Sequence, residues 1–422
     1  MSDSPYILFD EWQGDYARRT KVMTTSAVRD LFAAASRSDV ISLSGGMPDT
    51  HVLPLDQVKK LTTYVYNHYG DSVFQYGQTG GLPELKEEIV KLMAELGVAI
   101  EPRDLFITTG AQQALSLIGE SFINRGDYII TEGPTYLGAL NAFMPFEPRI
   151  ITVPFDDEGM RTDALEEVLT KLARAGGQAK FIYTIPTFQN PGGVTMSLAR
   201  RKRLLELAHR FDVLLIEDDP YSRLRFAGEA VPAIRSLDDN MIYLGTVSKI
   251  FAPSMRTGWV VAPGPILDKL NMAKQGADLC SSNFNHLLCL EYFRQSDWHA
   301  TLAEACGLYR MRAEAMLAAL ERYFPPEAHW THPEGGFFVW VTLPKYFDTD
   351  ELLATALEHG VTFVPGRGCY PRRGGLGGNS MRIAFCYESP ERLEEAIKRL
   401  AEAIQDRLEL YRAFIKAGVI RE

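Results

Sequence analysis

Seven short apolar runs, each bounded by turn residues, limit what this chain can fold into more than any other feature of its sequence. Helical segments separate most of them, and each run is too short for a buried helix. Buried runs that alternate with helices are typical of a mostly parallel sheet covered by helices on both faces. The sequence therefore predicts an α/β fold with a mostly parallel seven-stranded sheet. The runs are DLFITTG, DYIITEGP, RIITVPF, KFIYTIP, VLLIEDDPY, NMIYLGTV and TGWVVAP.

A second set of elements follows this pattern. A helical stretch runs from about Trp298 to Tyr323, and shorter strands and helices alternate after it. These elements are less apolar than the first set, which indicates a smaller α+β domain. We predict a large domain over residues 55–300, and an amino-terminal arm with the small domain over residues 1–54 and 301–422.

Composition narrows the classes of partner. The chain has 44 basic and 54 acidic residues, and its formal charge of −10 disfavours nucleic acid and anionic membranes as partners. Five cysteines without a C-x-x-C pair and eight scattered histidines predict neither disulfides nor a metal site. No apolar run reaches the roughly 20 residues that span a bilayer, and the start lacks a basic signal sequence. We expect a cytoplasmic protein that binds small molecules.

Polar residues follow several of the runs, where ligands bind in open α/β sheets. Gly110 lies in a strand-to-helix turn whose free N–H groups suit a phosphate, although any such turn needs a small residue. The ring of Tyr136 can stack on a flat ligand or fill the core. Asn190 either binds a ligand through its polar side chain or serves only as a turn residue.

Three carboxylates end the run VLLIEDDPY, namely Glu217, Asp218 and Asp219, and Tyr221 follows them. They come directly after buried aliphatic residues, so at least the first is expected to be surrounded by protein and to need a cationic partner.

Lys249 stands among hydroxyl residues after the next run. Thr246 and Ser248 precede it, and Arg256 follows. A phosphate would bind the Gly110 turn, the two hydroxyls and the guanidinium; a protonated ring nitrogen would bind a buried carboxylate; and an aldehyde would bind the lysine. Pyridoxal 5′-phosphate carries these groups on one flat ring, so we predict it as the cofactor, attached to Lys249.

The chain resembles the fold-type I, class I and II pyridoxal-phosphate aminotransferases over nearly its whole length, most closely the 2-aminoadipate and kynurenine aminotransferase branch. This resemblance implies amino-group transfer between an L-amino acid (2-aminoadipate, aromatic or branched-chain) and a 2-oxo acid, most often 2-oxoglutarate, by a ping-pong mechanism. It also implies a homodimer with active sites at the subunit interface. The motifs are SAVRDLF, SLSGGMPDTHVLP, YGQTGGLPELK, TTGAQQAL, EGPTYLGAL, PTFQNPGG, IEDDPY, GTVSKIFAPSMRTGW, KQGADL, GGFFVW and MRIAF.

The same resemblance assigns roles to individual residues. Lys249, Asp218 and Tyr221 would be catalytic, and a Tyr76 donated by the neighbouring subunit would complete the phosphate site. Cofactor-binding residues would be Tyr76, Gly110, Ala111, Gln112, Tyr136, Asn190, Asp218, Tyr221, Thr246, Ser248, Lys249 and Arg256. Substrate-binding residues would be Arg29, Gly46, Asn190 and Arg382, with Arg382 on the α-carboxylate.

Three residues differ from the family pattern, and the roles of Arg29 and of the loop 365–380 stay open. Ala111, Gly192 and Thr246 replace residues that are usual in relatives, and none of them is expected to react. Arg29 either binds an acidic substrate side chain or is solvated, and the loop 365–380 either contacts substrate or is a surface loop. A β-lyase reaction on the same fold is an alternative. A cofactor-binding transcription regulator is disfavoured, because the sequence shows no DNA-binding module before SAVRDLF.

Overall fold

The computed structural model describes residues 10, 12–23, 39–371 and 375–416. Arg29 lies outside this part of the chain. The described α-helices are α1 (Leu55–Tyr69), α2 (Pro83–Glu95), α3 (Ala111–Phe122), α4 (Leu137–Phe143), α5 (Thr162–Arg174), α6 (Leu198–Arg210), α7 (Gly264–Ala277), α8 (Asn283–Gln295), α9 (Trp298–Tyr323), α10 (Thr349–Glu358) and α11 (Pro390–Lys416).

The strands form one large and two small sheets among the described residues. They are β1 (Ile41–Ser42), β2 (Leu105–Thr108), β3 (Tyr128–Gly133), β4 (Arg149–Asp156), β5 (Gly159–Met160), β6 (Ala179–Thr184), β7 (Leu214–Asp218), β8 (Ile242–Thr246), β9 (Gly258–Val261), β10 (His329–Trp330), β11 (Phe338–Thr342), β12 (Val361–Thr362), β13 (Val364–Pro365) and β14 (Ser380–Ala384).

The large sheet has the order β2-β9-β8-β7-β6-β3-β4-β5. Its central strands β8, β7, β6, β3 and β4 are parallel, whereas β9 is antiparallel to both of its neighbours. All seven predicted runs form strands, so the mostly parallel α/β fold is confirmed. The eighth strand, β5, has two residues and pairs antiparallel with the end of β4. It is too short to leave a periodic signal in the sequence.

The direction of β9 follows from its connection. Parallel neighbours need a crossover of a dozen or more residues, usually through a helix. The segment between β8 and β9 contains only two short 3-10 turns, Val247–Lys249 and Pro253–Met255. The chain therefore reverses its direction just beyond the carboxyl end of β8. This reversal holds Lys249 directly beyond the carboxyl end of β8.

The carboxy-terminal elements build a smaller antiparallel sheet in the order β10-β11-β14-β13. Helices α9, α10 and α11 pack against it around a separate hydrophobic core. Strand β1 joins this part, because Ile41 pairs with Val361 and Ser42 with Thr362. The domain boundaries that we drew from the sequence stay a prediction.

No α-helix within the described ranges combines the length and the apolar character needed to cross a membrane.

Candidate active site

A cavity of about 350 Å³ lies at the carboxyl edge of the large sheet, where β7 and β8 end. Twelve of the predicted site residues line it: Gly46, Ala111, Gln112, Tyr136, Asn190, Asp218, Tyr221, Thr246, Ser248, Lys249, Arg256 and Arg382. Side chains that were separated by up to several hundred residues in the sequence therefore face one space. Its volume is in the range of small-molecule sites.

Three predicted residues are not in the cavity wall. Gly110 is buried behind it, against the guanidinium of Arg256. Tyr76 is 77% exposed and lies in a separate surface cleft with Phe74 and Phe284. Arg29 lies outside the described residues.

The loop 365–380 is described only in part, since residues 372–374 lie outside the described ranges. Arg367, one of its three arginines, forms ion pairs with Asp348 at 2.8 Å and Asp350 at 2.7 Å. It does not line the cavity. These pairs favour a structural role for Arg367 over contact with substrate.

Lys249 ends the short turn that follows β8. Its Nζ donates a hydrogen bond to Gly46 O at 2.8 Å and lies 5.3 Å from the centre of the Phe337 ring. Burial lowers the pKa of Lys249 to about 8; the neighbouring Cys386 opposes this shift, while Arg382 adds to it. A lysine with this pKa has far more neutral, nucleophilic amine near pH 7 than an exposed one.

Asp218 is the last residue of β7 and is 3% exposed. The Tyr183 hydroxyl donates a hydrogen bond to Asp218 Oδ2 at 2.6 Å. Burial raises the pKa of Asp218 to about 7, and Asp219 adds to the shift, whereas the Tyr183 hydrogen bond opposes it. A cationic ligand in the cavity would stabilise the ionised carboxylate.

The hydroxyl residues and Arg256 form one corner of the cavity. Thr246 Oγ1 donates to Ser248 Oγ at 2.9 Å and accepts from the Ser248 backbone N–H at 3.1 Å. Arg256 has a left-handed φ of 46° at the end of the second turn, and its guanidinium lies over Gly110. Helix α3 begins at Ala111 beside them, so its free N–H groups add to a site that suits a dianion.

Arg382 also lines the cavity and is 6% exposed. Its Nη1 donates to Asn190 Oδ1 at 3.1 Å, its Nη2 donates to Ser44 O at 2.7 Å, and its buried Nε has no hydrogen-bond partner within the described ranges. Asn190 in turn donates to Tyr221 OH at 3.4 Å. No carboxylate of the described residues forms an ion pair with Arg382. A buried guanidinium that donates hydrogen bonds only to neutral oxygens favours binding of an anionic ligand.

The sequence reasoning missed several residues of the site. Tyr183, which holds Asp218, stands inside an apolar run, where only the need of a buried hydroxyl for a partner could have indicated it. Glu132 is buried nearby and accepts from Thr184 Oγ1 at 2.8 Å and Gln189 Nε2 at 3.1 Å. The remaining wall is largely apolar, with Met47, Leu115, Leu137, Ile185 and Phe338 among its residues.

The chain is similar to known proteins over most of its length. The model of the family described as aminotransferase class I and II matches residues 38–400, which include every residue of the cavity wall. The aromatic-amino-acid aminotransferase 1 of Thermococcus litoralis is 42% identical over 409 residues, covering 96% of this chain and 97% of that protein.

Two solved structures are similar along the chain. The multiple substrate aminotransferase of Thermococcus profundus has a TM-score of 0.90 at 41% identity and covers 95% of this chain and 100% of its own. The α-aminoadipate aminotransferase of Thermus thermophilus, solved with N-(5′-phosphopyridoxyl)-L-leucine, has a TM-score of 0.87 at 34% identity, with coverage of 95% and 100%.

Proposed function

The chain belongs to the class I and II aminotransferase family, and on that premise we propose that its cavity binds pyridoxal 5′-phosphate and moves an amino group between an L-amino acid and a 2-oxo acid. One observation carries the proposal. The Lys249 amine and the Asp218 carboxylate, both with strongly shifted pKa values, line the same cavity as Arg256 and Arg382. Shifted pKa values that cluster in a cavity are typical of catalytic groups.

The residues of the cavity fit the cofactor. The guanidinium of Arg256 and the hydroxyls of Thr246 and Ser248 suit its phosphate, together with the turn at Gly110, Ala111 and Gln112. Asp218 suits the ring nitrogen, and Asn190 and Tyr221 suit the phenolic oxygen. A Cβ on Gly138 would clash with the Tyr136 ring, so this glycine makes room for that ring at the cavity wall. Tyr136 can then stack on the cofactor.

The cofactor, when bound, supplies an aldehyde that takes up the amino group and a ring that withdraws electrons from the substrate's Cα. Lys249 would hold the aldehyde between turnovers, and its free amine would remove the proton from Cα as a general base. The buried negative charge of Asp218 would keep the ring nitrogen protonated. Arg382 binds the α-carboxylate with two N–H groups, which fixes the Cα–H bond near Lys249.

Substrate choice follows from the rest of the wall. The three cations of the cavity, Lys249, Arg256 and Arg382, already have partners in this scheme, and the other lining residues are largely apolar. We propose aromatic and branched-chain amino acids as donors, with 2-oxoglutarate as acceptor. The 2-aminoadipate named for the Thermus thermophilus relative is a further candidate donor, for which Arg29 is proposed to bind the side-chain carboxylate.

We propose a cytoplasmic homodimer. The partner subunit's Tyr76 would complete the phosphate site, which is in keeping with the exposure of this ring in the single chain. The five cysteines, which are all free, suit a reducing compartment.

The proposal is tested by incubating the purified, cofactor-loaded protein with single amino acids and following the visible spectrum. We expect conversion to the pyridoxamine form, and recovery after 2-oxoglutarate is added. Borohydride reduction and peptide mapping should place the cofactor on Lys249. Lys249→Ala should lose both the absorbance and activity, because no other amine lies in the cavity among the described residues.

Lys269→Ala is the matched control, since Lys269 is exposed on α7 and should leave spectrum and turnover unchanged. Cofactor attachment at another residue would reject the assignment of Lys249. Fragmentation of the amino acid, in place of a stable pyridoxamine form, would indicate a β-lyase.

A further inference from the structure

Two consecutive aspartates at the end of β7 each accept a hydrogen bond from a tyrosine on a neighbouring strand. Tyr183 on β6 donates to Asp218 Oδ2 at 2.6 Å, and Tyr243 on β8 donates to Asp219 Oδ2 at 2.9 Å. Both tyrosines are at most 1% exposed. The chain therefore has two similar buried tyrosine–aspartate pairs side by side.

The two pairs differ in where their carboxylates face. Asp218 lines the cavity, whereas Asp219 does not and also accepts the Ser222 backbone N–H at 3.0 Å. Within the described part of the chain, Tyr183 provides the one hydrogen bond that the Asp218 side chain accepts. The second oxygen of Asp218 is thus available to a ligand.

The surroundings of Asp218 make this single hydrogen bond important. The charged groups that interact with the Asp218 carboxylate are two other carboxylates, those of Glu132 and Asp219. No cation among the described residues forms an ion pair with Asp218. A hydrogen bond to a buried carboxylate favours its ionised form. The ring of Tyr183 packs edge-on against Phe143 with centroids 5.7 Å apart, so its hydroxyl is held in one direction.

We propose that Tyr183 is a positioning residue for transamination, whose hydroxyl holds Asp218 ionised with one oxygen directed at the ring nitrogen of the cofactor. This inference rests on the proposed function. Tyr183 does not touch substrate or cofactor in this scheme and acts only through Asp218. Its effect should therefore depend on the presence of a ring nitrogen.

The experiment compares two ligands of the cofactor-free protein by equilibrium dialysis. One is pyridoxal 5′-phosphate, and the other is its 1-deaza analogue, in which C–H replaces the ring nitrogen. We expect the unmodified protein to bind the natural cofactor more tightly. Tyr183→Phe should reduce this preference by about 10- to 100-fold, the range for a hydrogen bond to a charged group. Its affinity for the analogue should change little.

Tyr243→Phe is the matched control, because it removes an equally buried hydroxyl from the aspartate that faces away from the cavity. It should leave the ligand preference unchanged. An equal loss of affinity for both ligands in Tyr183→Phe would show a merely structural role and overturn the inference. An unchanged preference would do the same while leaving the proposed function intact.

A third variant tests whether Tyr183 acts through Asp218. In Asp218→Asn the preference for the ring nitrogen should already be lost, and adding Tyr183→Phe should reduce it no further. A further loss in the double variant would contradict action through Asp218. Absence of any preference in the unmodified protein would reject both the inference and the role of Asp218 in the proposed function.

Discussion

Glu217 and Asp218, the last two residues of β7, have different environments. Glu217 points to the side of the sheet where Arg201 lies 3.9 Å away, and it accepts the backbone N–H groups of Ile234 and Arg235. This is the cationic partner that the sequence led us to expect for the first carboxylate. Asp218, its neighbour, faces the opposite side and the cavity, because side chains alternate along a strand. One residue step therefore separates a structural carboxylate from a proposed catalytic one.

The shifted pKa of Lys249 gives a prediction at the residue scale. Its pKa is about 8 in the folded chain and about 10.4 when unfolded, so the unfolded chain binds more protons between these values. The penalty for burying the charge is complete below pH 8 and disappears as the pH rises to about 10.4. Lys249→Met should thus raise the free energy of unfolding of the cofactor-free protein at pH 7 by about 1 to 3 kcal/mol.

Urea unfolding at several pH values measures this difference. The gain from Lys249→Met should shrink as the pH rises from 8 to 10. Lys269→Met serves as the exposed control and should show no such trend. A gain that is the same at all pH values would mean that packing, and not charge, limits the stability at this position.

At the scale of elements, the turn between β2 and α3 combines a backbone requirement with a close contact. Gly110 has a φ of +75°, and a Cβ there would lie 2.5 Å from Arg256 Nη2. Thr108 Oγ1 donates to Gly110 O at 3.0 Å and fixes the turn. The glycine thus lets the helix start approach the guanidinium, and both are then available to one phosphate.

Gly110→Ala should weaken cofactor binding, because the new methyl group displaces Arg256. Gly97 offers a matched control, since its φ of +76° is nearly the same but a Cβ there would have no described atom within 4 Å. Both variants should lose about 1 kcal/mol of stability from backbone strain. Only Gly110→Ala should raise the dissociation constant of pyridoxal 5′-phosphate, by about tenfold or more for the loss of one charged contact. Equal cofactor affinity in the two variants would show that Arg256 does not bind the phosphate.

At the scale of the whole molecule, the exposed aromatic rings of the cleft around Tyr76 are the main reason to consider assembly. Phe74 is 78% and Tyr76 is 77% exposed, which is unusual for rings of this size. In a homodimer with sites at the interface, each active site would combine Lys249 of one subunit with the partner subunit's Tyr76.

Mixed dimers test this arrangement. Lys249→Ala dimers should be inactive and Tyr76→Ala dimers weakened in cofactor binding. When the two variants are unfolded and refolded together, each mixed dimer regains one complete site, because Tyr76 and Lys249 come from different subunits. Random pairing then restores about a quarter of the sites of the unmodified protein. Activity no higher than the sum of the separate variants would contradict a shared site, and a monomer by ultracentrifugation would contradict the dimer.

The large sheet and the residue types at its carboxyl edge could be predicted from the sequence alone. Apolar runs and their turn residues are local signals, so all seven major strands were predicted, and motifs such as the one around Lys249 carry their residue types in fixed order. The two-residue β5 and the partner of Asp218 were not predictable in this way, since neither depends on a local period.

Which of these groups lie together depends on how the chain packs in three dimensions. The hydrogen bond from Lys249 to Gly46 joins residues 203 positions apart, and the hydrogen bond from Arg382 to Ser44 joins residues 338 positions apart. Likewise, Tyr183 reaches Asp218 because β6 and β7 pair in one register. Such contacts arise from the packing of distant segments around a common cavity, and no short stretch of sequence contains that information.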